Sequence, residues 1–455
     1  MRTITDEQKI YELSKIWKEA EYNFAFWDKV NIDWDAEYKK TLNAVLGTKD
    51  IYDYYRELQR FLVLLNDGHT GVNMPMDVMQ DPDFFSMIPV YLWHFGEDIA
   101  VINVTEEYKD RIPLYSTLKK VNGIDASEYI RENCYPFIWH AKADACGISA
   151  VQELMYGRVG SFLDCTFEKN GKSIDIRLDR ENPFEMHWQN IDYSIISDEK
   201  KETIYKGESF SIEMTEDDIA ILKFLNFDDP SMPEKVYEKY DELKKARGFL
   251  IDVRANTGGN SENANVVAAL FTKGAFKSCV GEYQIYEPTY KAHSVFREDF
   301  KDVEPSEIEE KYSDNDTVRC YRIAHHICYE RGEDDDYQRP IPGKLIGPLV
   351  VLMNQYTFSA AEDFVDVMKK YTDAVFLGIN TAGSSGQPLF VPLESGGSFR
   401  ICTWRCIAQN GEDIYNKGFS PDIKVVGTPD DFIDRRDKTM EKAMEILREK
   451  LSVTG

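Results

Sequence analysis

LVVLMNQYTFSAAEDFVDVMKK, residues 349–370, is the stretch on which the reading of this chain turns. Leu349, Val350, Val351, Leu352 and Met353 form an apolar, partly β-branched run, the pattern of a strand covered on both faces. From Ala360 the spacing becomes helical, with Ala361, Phe364, Val365 and Met368 on one face. Glu362 and Asp363 fall in the first turn and Lys369 and Lys370 in the last, which suits the helix dipole. Ser359 stands at the junction, at the carboxyl end of a strand and beside the unclaimed N–H groups of a helix start. A serine there most often caps the helix. The same position would also present a nucleophile, and the rest of the chain must decide between the two.

Working outward, 455 residues exceed one ordinary core, so two or three domains are expected. An apolar fraction of 43% with 25 Phe, 26 Tyr and 7 Trp describes a folded protein. The net charge of −26 makes nucleic acid and anionic membrane poor partners, since a polyanion is repelled. Acidic runs such as the loop around Asp334 to Asp336 read as solvated surface. Eight cysteines without Cys-x-x-Cys spacing read as free, mostly buried thiols, and Cys320 and Cys328 around His325 and His326 lack the spacing of a zinc site. The amino-terminal residues lack the apolar core of a signal peptide and no run reaches a membrane span of about 20 residues. A cytoplasmic location is expected, with a mature exported form as the alternative.

Residues 1–66 read as helices, from the spacing of Leu13, Ile16, Ala20 and Phe24, and of Tyr55, Leu58, Phe61 and Leu62. Asn66-Asp67-Gly68-His69-Thr70 ends that region with turn residues. Residues 87–180 look strand-rich, with a hairpin turning at Asn170-Gly171 and a short helix from Ser149, where Ser149 and Gln152 are spaced as a capping box. From Ile219 strands alternate with helices, which argues for an α/β fold with a mainly parallel sheet. Residues 274–343 interrupt it with little periodicity and read as a long surface insertion. The tail, residues 437–451, is helical.

Three features carry chemistry. Gly258 and Gly259 follow the strand LIDVR and precede a helix, where glycine admits close backbone approach and offers N–H groups to an anion. The N–H of Ala360, at the start of the Ser359 helix, could join them as an oxyanion hole. A hydroxyl nucleophile needs a base, and His69, in a polar turn, is the best placed of seven histidines. His94 and His140, among aromatics, read as packing.

LIDVRANTGGN, followed about a hundred residues on by NQYTFSAAEDF, resembles the tail-specific and tricorn-type serine peptidases of family S41. NIDWDAEYKK and LLNDGHTGV resemble that family's amino-terminal helices, and DIYNKGFSPDIKV its closing element, so the resemblance spans most of the chain. It implies a crotonase-like catalytic core (the ClpP/crotonase fold) at 196–455, a helical region at 1–80 and a PDZ-like β-rich domain at 81–195, where Val121-Asn122-Gly123 matches a PDZ strand end. It also implies Ser359 as nucleophile, with Gly258 or Gly259 and Ala360 supplying the oxyanion hole. No lysine occurs from Tyr371 to Asn416, so the family's Ser/Lys branch does not fit, whereas His69 in DGHT matches the tricorn-like Ser/His branch. The residue orienting His69 stays open among Glu412, Ser384 and Asp67, because Gly68 stands where that branch carries serine. Glu362, in the family's Ser-Ala-x-Glu pattern, reads as a structural hydrogen-bond partner.

The expectation is a serine peptidase acting on peptides or proteins, with no metal and no organic cofactor. The sequence leaves self-association into a homo-oligomer open. The alternative is a non-catalytic protein binding a peptide or hydrophobic ligand on the same scaffold. An acyl-CoA enzyme of the crotonase type is disfavoured by the missing basic phosphate site.

Overall fold

The structure is a computed structural model describing residues 4–96, 98–139, 143–332, 336, 337 and 339–454, with side chains undescribed at 143–145 and 454. Asp334 of the acidic loop and His140 lie outside the described residues. The chain divides into two units interleaved in sequence: residues 1–73, 279–334 and 386–408 form one, and 74–278, 335–385 and 409–455 the other.

The larger unit is organised by a seven-stranded sheet in the order Lys201–Lys206, Phe210–Thr215, Ile219–Phe224, Gly248–Asp252, Leu349–Met353, Val375–Gly378 and Ile423–Lys424. The first three strands pair antiparallel, and from Ile219–Phe224 onward all pairings are parallel. Gly248–Asp252 and Leu349–Met353 are buried at every position, as their unbroken apolar runs require. Alternation sorts their side chains. Ile219, Ile221, Leu250, Val350, Leu352 and Leu377 join Ala443, Met444, Leu447 and Leu451 of the closing helix Lys438–Thr454 in one core. The intervening positions Phe249, Ile251, Val351 and Met353 are equally buried. Helices Ser261–Ala269 and Ala360–Tyr371 pack against each other.

A second sheet of six strands lies earlier in the same unit, from Val90–Phe95 to Lys172–Asp179. Its inward side chains, among them Val101, Leu118, Cys165 and Phe167, form a core with Ile130, Val151 and Leu154 of neighbouring helices. The hairpin Phe162–Lys169 to Lys172–Asp179 turns at Asn170 (φ 51°) and Gly171 (φ 73°), the left-handed pair of a type I′ turn read from the sequence. One expectation fails here. The helix runs Ala143–Met155, so Ser149 and Gln152 lie inside it and form no capping box. Upstream of Ile148 the helix continues through residues 143–147, whose sequence shows no apolar periodicity to signal it.

In the smaller unit, helices Asp6–Asn23, Trp34–Leu46 and Ile51–Val63 accompany a three-stranded sheet of Gly71–Asn73, Ser398–Cys402 and Pro388–Pro392. Buried Glu12 accepts the Tyr54 hydroxyl (3.0 Å) and the Ser395 N–H and hydroxyl (2.6 and 2.8 Å), which fastens the late strands to the first helix. Residues 280–331 carry a small core of Phe300, Val303, Ile308, Cys320 and Tyr321. Cys279 and Cys406 are joined by a disulfide, against the reading of all eight cysteines as free thiols; the other six are buried and outside any disulfide. The two are 127 residues apart and meet because Val280–Gln284 pairs with Trp404–Ile407, a juxtaposition no local spacing signals.

Candidate active site

The turn after Gly248–Asp252 is held by Asn256, which is fully buried. Its N–H donates to Val253 O (3.1 Å), its carbonyl accepts Phe358 N–H (3.1 Å), and its side-chain Oδ1 accepts Gly258 N–H (2.9 Å). Its Nδ2 is buried and has no acceptor among the described residues. Gly258 has φ 99°, and a Cβ there would stand 2.6 Å from Ser359 Cβ and 2.8 Å from Phe358 O. Gly259 has φ 131°, and a Cβ there would meet Asp228 Oδ1 and the Phe227 carbonyl carbon at 2.6 Å. Both glycines are therefore required: one for contact with the serine turn, the other for contact with residues 227 and 228.

Ser359 precedes Ala360–Tyr371 with φ 56° and ψ −127°, and its side chain makes no capping hydrogen bond. An ordinary capping serine keeps an extended backbone, and its side-chain oxygen accepts the second or third helical N–H. Left-handed φ in a residue with a Cβ is a strained state that surrounding contacts must enforce. Those contacts are explicit. Thr357 Oγ1 donates to Val253 O (2.9 Å) and accepts Asn354 N–H (3.1 Å), while Ser359 N–H donates to Ser384 O (3.2 Å) and Ser359 O accepts Glu362 N–H (2.7 Å). Ala360, the first helical residue, has no intrahelical acceptor for its N–H.

Glu362 is completely buried in the first turn of the helix, where it accepts Thr381 Oγ1 (2.6 Å), Gly383 N–H (2.8 Å) and Ser384 N–H (2.8 Å). It thus clamps the segment whose Ser384 carbonyl holds Ser359. Its neighbour Asp363 accepts the hydroxyls of Ser261 and Ser385, both at 2.6 Å.

His69 belongs to the smaller unit and is 2% exposed. Asp67 Oδ2 accepts the His69 N–H (3.0 Å) and the Thr70 hydroxyl (2.8 Å). Thr70 Oγ1 in turn accepts Cys402 N–H (3.0 Å), and an Arg400 guanidinium nitrogen donates to Gly68 O (2.9 Å). Among the residues considered as orienting groups, Asp67 grips the backbone of the histidine turn, Ser384 is held by Glu362, and Glu412 is exposed.

Residues 218–425 match the model of peptidase family S41, a span running from the strand Ile219–Phe224 past Gly258, Ser359 and Glu362. The chain carries a peptidase family S41 domain. It is 25% identical over 258 residues to the carboxy-terminal processing protease CtpA of Bacillus subtilis, covering 56% of this chain and 43% of that protein. A carboxy-terminal-processing protease of Bartonella bacilliformis is 23% identical over 216 residues, covering 46% of this chain and 39% of that protein. The chain thus spans less than half the length of these curated relatives. The solved structure of mature CPAF complexed with lactacystin shares the fold at a TM-score of 0.68 and 15% identity, over 98% of this chain and 99% of that one. A putative peptidase from Parabacteroides merdae matches at 0.53 and 16%, over 98% and 97%.

Within this S41 domain, burial raises Glu362 to about 7 against the pull of its three donors, and Asp363 also rises through burial. Asp366 rises to about 7 for the same reason, although the Gln409 N–H donates to it. In the smaller unit, burial holds the Cys402 thiol well above its usual range, with Asp67 adding to the effect. Asp67, His69 and Cys402 bring an oxygen, a ring nitrogen and a sulfur within 4.8 Å of one another, donor types that a borderline cation such as zinc accepts. Burial pulls the Arg400 guanidinium below its ordinary range, while the nearby Asp67 carboxylate opposes that shift.

Sequence reasoning missed three contributors. Asn256 carried a signal, an Asx turn two residues before a glycine. Thr70 and Arg400 carried none, because their partners lie about 330 positions away along the chain.

Proposed function

We propose that this protein hydrolyses peptide bonds of peptides or proteins through an acyl-enzyme, with Ser359 as nucleophile and His69 as general base. The observation that carries the reading is the backbone of Ser359: left-handed, not used as a cap, and pressed against a glycine that a methyl group could not replace. In this scheme the Ser359 hydroxyl attacks the scissile carbonyl as His69 takes its proton. The tetrahedral oxyanion accepts N–H groups of Ala360 and the 258–259 turn, and His69 returns the proton to the leaving amine. Water then releases the acyl group by the same route.

Asp67, Ser384 and Glu412 are the candidates for orienting the imidazole, since a neutral histidine needs an acceptor at its second nitrogen to fix the tautomer. We further read the parallel sheet with its two packed helices as a crotonase-like core, and the six-stranded sheet at 81–195 as a PDZ-like module able to add a peptide strand at its edge.

The test is labelling by a fluorophosphonate, which reacts only with an activated serine. Labelling of the wild-type protein that disappears in Ser359→Ala and falls steeply in His69→Ala is expected. A wild-type protein that stays unlabelled and cleaves no peptide would move the reading to ligand binding without catalysis.

A further inference from the structure

A cavity of about 330 Å³ lies within the larger unit, at the carboxyl ends of Leu349–Met353 and Val375–Gly378. Met353 and Gly378 form its floor, and Trp93 and Phe95, from the last residues of the strand Val90–Phe95, bring the six-stranded sheet to its wall. In parallel sheets the carboxyl ends of the strands are where ligands bind. The volume is at the small end of ligand pockets, which run from about 300 to 1,000 Å³, and suits one or two side chains.

Two observations tie this cavity to substrate. Tyr356 lines it and is three residues before Ser359, so at 3.8 Å per residue their Cα atoms are at most about 11 Å apart. The second is charge. Arg254, on the cavity, is matched twice over, by Asp252 (2.9 and 2.8 Å) and Asp437 (2.8 and 2.7 Å). Lys438 is matched by Asp431 (2.8 Å) and Arg436 by Glu441 (3.0 Å). Lys424 differs: it is exposed on the outer strand of the sheet, borders the same cavity, and has no carboxylate partner among the described residues. In a chain of net charge −26, an ammonium left unmatched beside an aromatic-walled cavity is available to an incoming anion.

We infer that this cavity is a substrate subsite, taking an apolar side chain of a peptide whose nearby carboxylate pairs with Lys424. The inference rests on the peptidase reading. The carboxylate has two sources, the carboxyl terminus of the peptide or an acidic side chain, and the chemistry at Lys424 is the same for both.

Binding is measured by fluorescence anisotropy on Ser359→Ala protein, so that no turnover is needed. The probe is a fluorescein-labelled peptide with Phe as its last residue and Asp two positions before it. Replacing Phe by Ser is expected to weaken binding at least tenfold, the scale of apolar-pocket discrimination. Removing the carboxylate that Lys424 meets should weaken it about threefold to fivefold, as for an exposed ion pair. Loss on carboxy-terminal amidation assigns the terminal carboxylate, and loss on Asp→Asn assigns the side chain. Lys424→Glu should erase whichever preference is seen, and Lys424→Met, which keeps the aliphatic stem, separates charge from packing. Affinities indifferent to both the Phe and the Lys424 substitutions overturn the subsite. The two readings fail separately: wild-type cleavage with kcat/KM unchanged in Lys424→Glu removes the subsite alone, whereas selective binding without Ser359 labelling removes the peptidase alone.

Discussion

The turn that presents Ser359 and the turn that presents His69 are built by opposite means. Around the serine most partners come from the same strand–turn–helix unit and its twin at 252–261, and they hold the backbone in a strained, left-handed conformation. Around the histidine the turn is gripped by a single carboxylate, Asp67, and then fixed by Arg400 and Cys402 from far along the chain. Strain is tolerated at the serine because a parallel sheet and a buried helix over-determine it. The histidine turn lies at the end of a helix and takes its rigidity from hydrogen bonds to a late strand. The difference teaches where each is vulnerable: the serine to steric intrusion, the histidine to loss of a buried acceptor.

The largest expected effect tests both turns at once. Ser359→Ala and His69→Ala should each lower kcat by on the order of 10⁴–10⁶ while denaturant unfolding shows the fold retained. Turnover surviving in Ser359→Ala would sink the mechanism. Next, Gly258→Ala probes the strained turn alone. A Cβ 2.6 Å from Ser359 Cβ at φ 99° must displace the nucleophile, so serine labelling should fall about 10²-fold or more, with stability lower by roughly 1–3 kcal/mol. Labelling at the wild-type rate would show that the close approach is incidental.

A third measurement uses pH on the serine side. Glu362 titrates at about 7 when folded, above the ordinary carboxylate value of about 4.3. Between those values the folded protein keeps a proton that the unfolded chain has released, so this group's contribution to stability falls as pH rises from about 4.5 to about 7. Glu362→Gln should flatten that part of the stability profile, and Asp366→Asn should flatten it further, since Asp366 shifts in the same direction. A wild-type profile rising through this window would contradict the assignment. The smallest effect is on the histidine side. Asp67→Ala leaves the His69 N–H and the Thr70 hydroxyl without their buried acceptor, for an expected loss of about 1–3 kcal/mol in chemical denaturation, with Asp67→Asn largely restoring it.

Much of the serine side is legible in the amino-acid sequence. The apolar run at 349–353, the helical spacing after Ala360 and the glycine pair at 258 and 259 are local patterns, and period and turn chemistry report local structure directly. The reading of Glu362 as a hydrogen-bond partner has its counterpart in the clamp on residues 381–384. What local pattern could not carry was pairing across long intervals: the Cys279–Cys406 disulfide, the grip of Arg400 and Cys402 on the histidine turn, and the return of residues 386–408 to the amino-terminal helices. The capping box at Ser149 failed for a related reason, since a helix flanked by a sheet takes its start from tertiary packing as much as from its own signals.

By itself the sequence determined that a serine would stand between a buried strand and an amphipathic helix, and that a glycine turn would follow an earlier strand, because both follow from residue period and backbone freedom. Only the tertiary structure decided that the serine would be strained instead of capping. That choice belongs to Asn256, Thr357 and Ser384, whose hydrogen bonds reach Val253, Phe358 and Ser359 from segments that meet when the parallel strands pair. A local preference of about a kilocalorie for an ordinary cap yields to several such contacts acting on one residue.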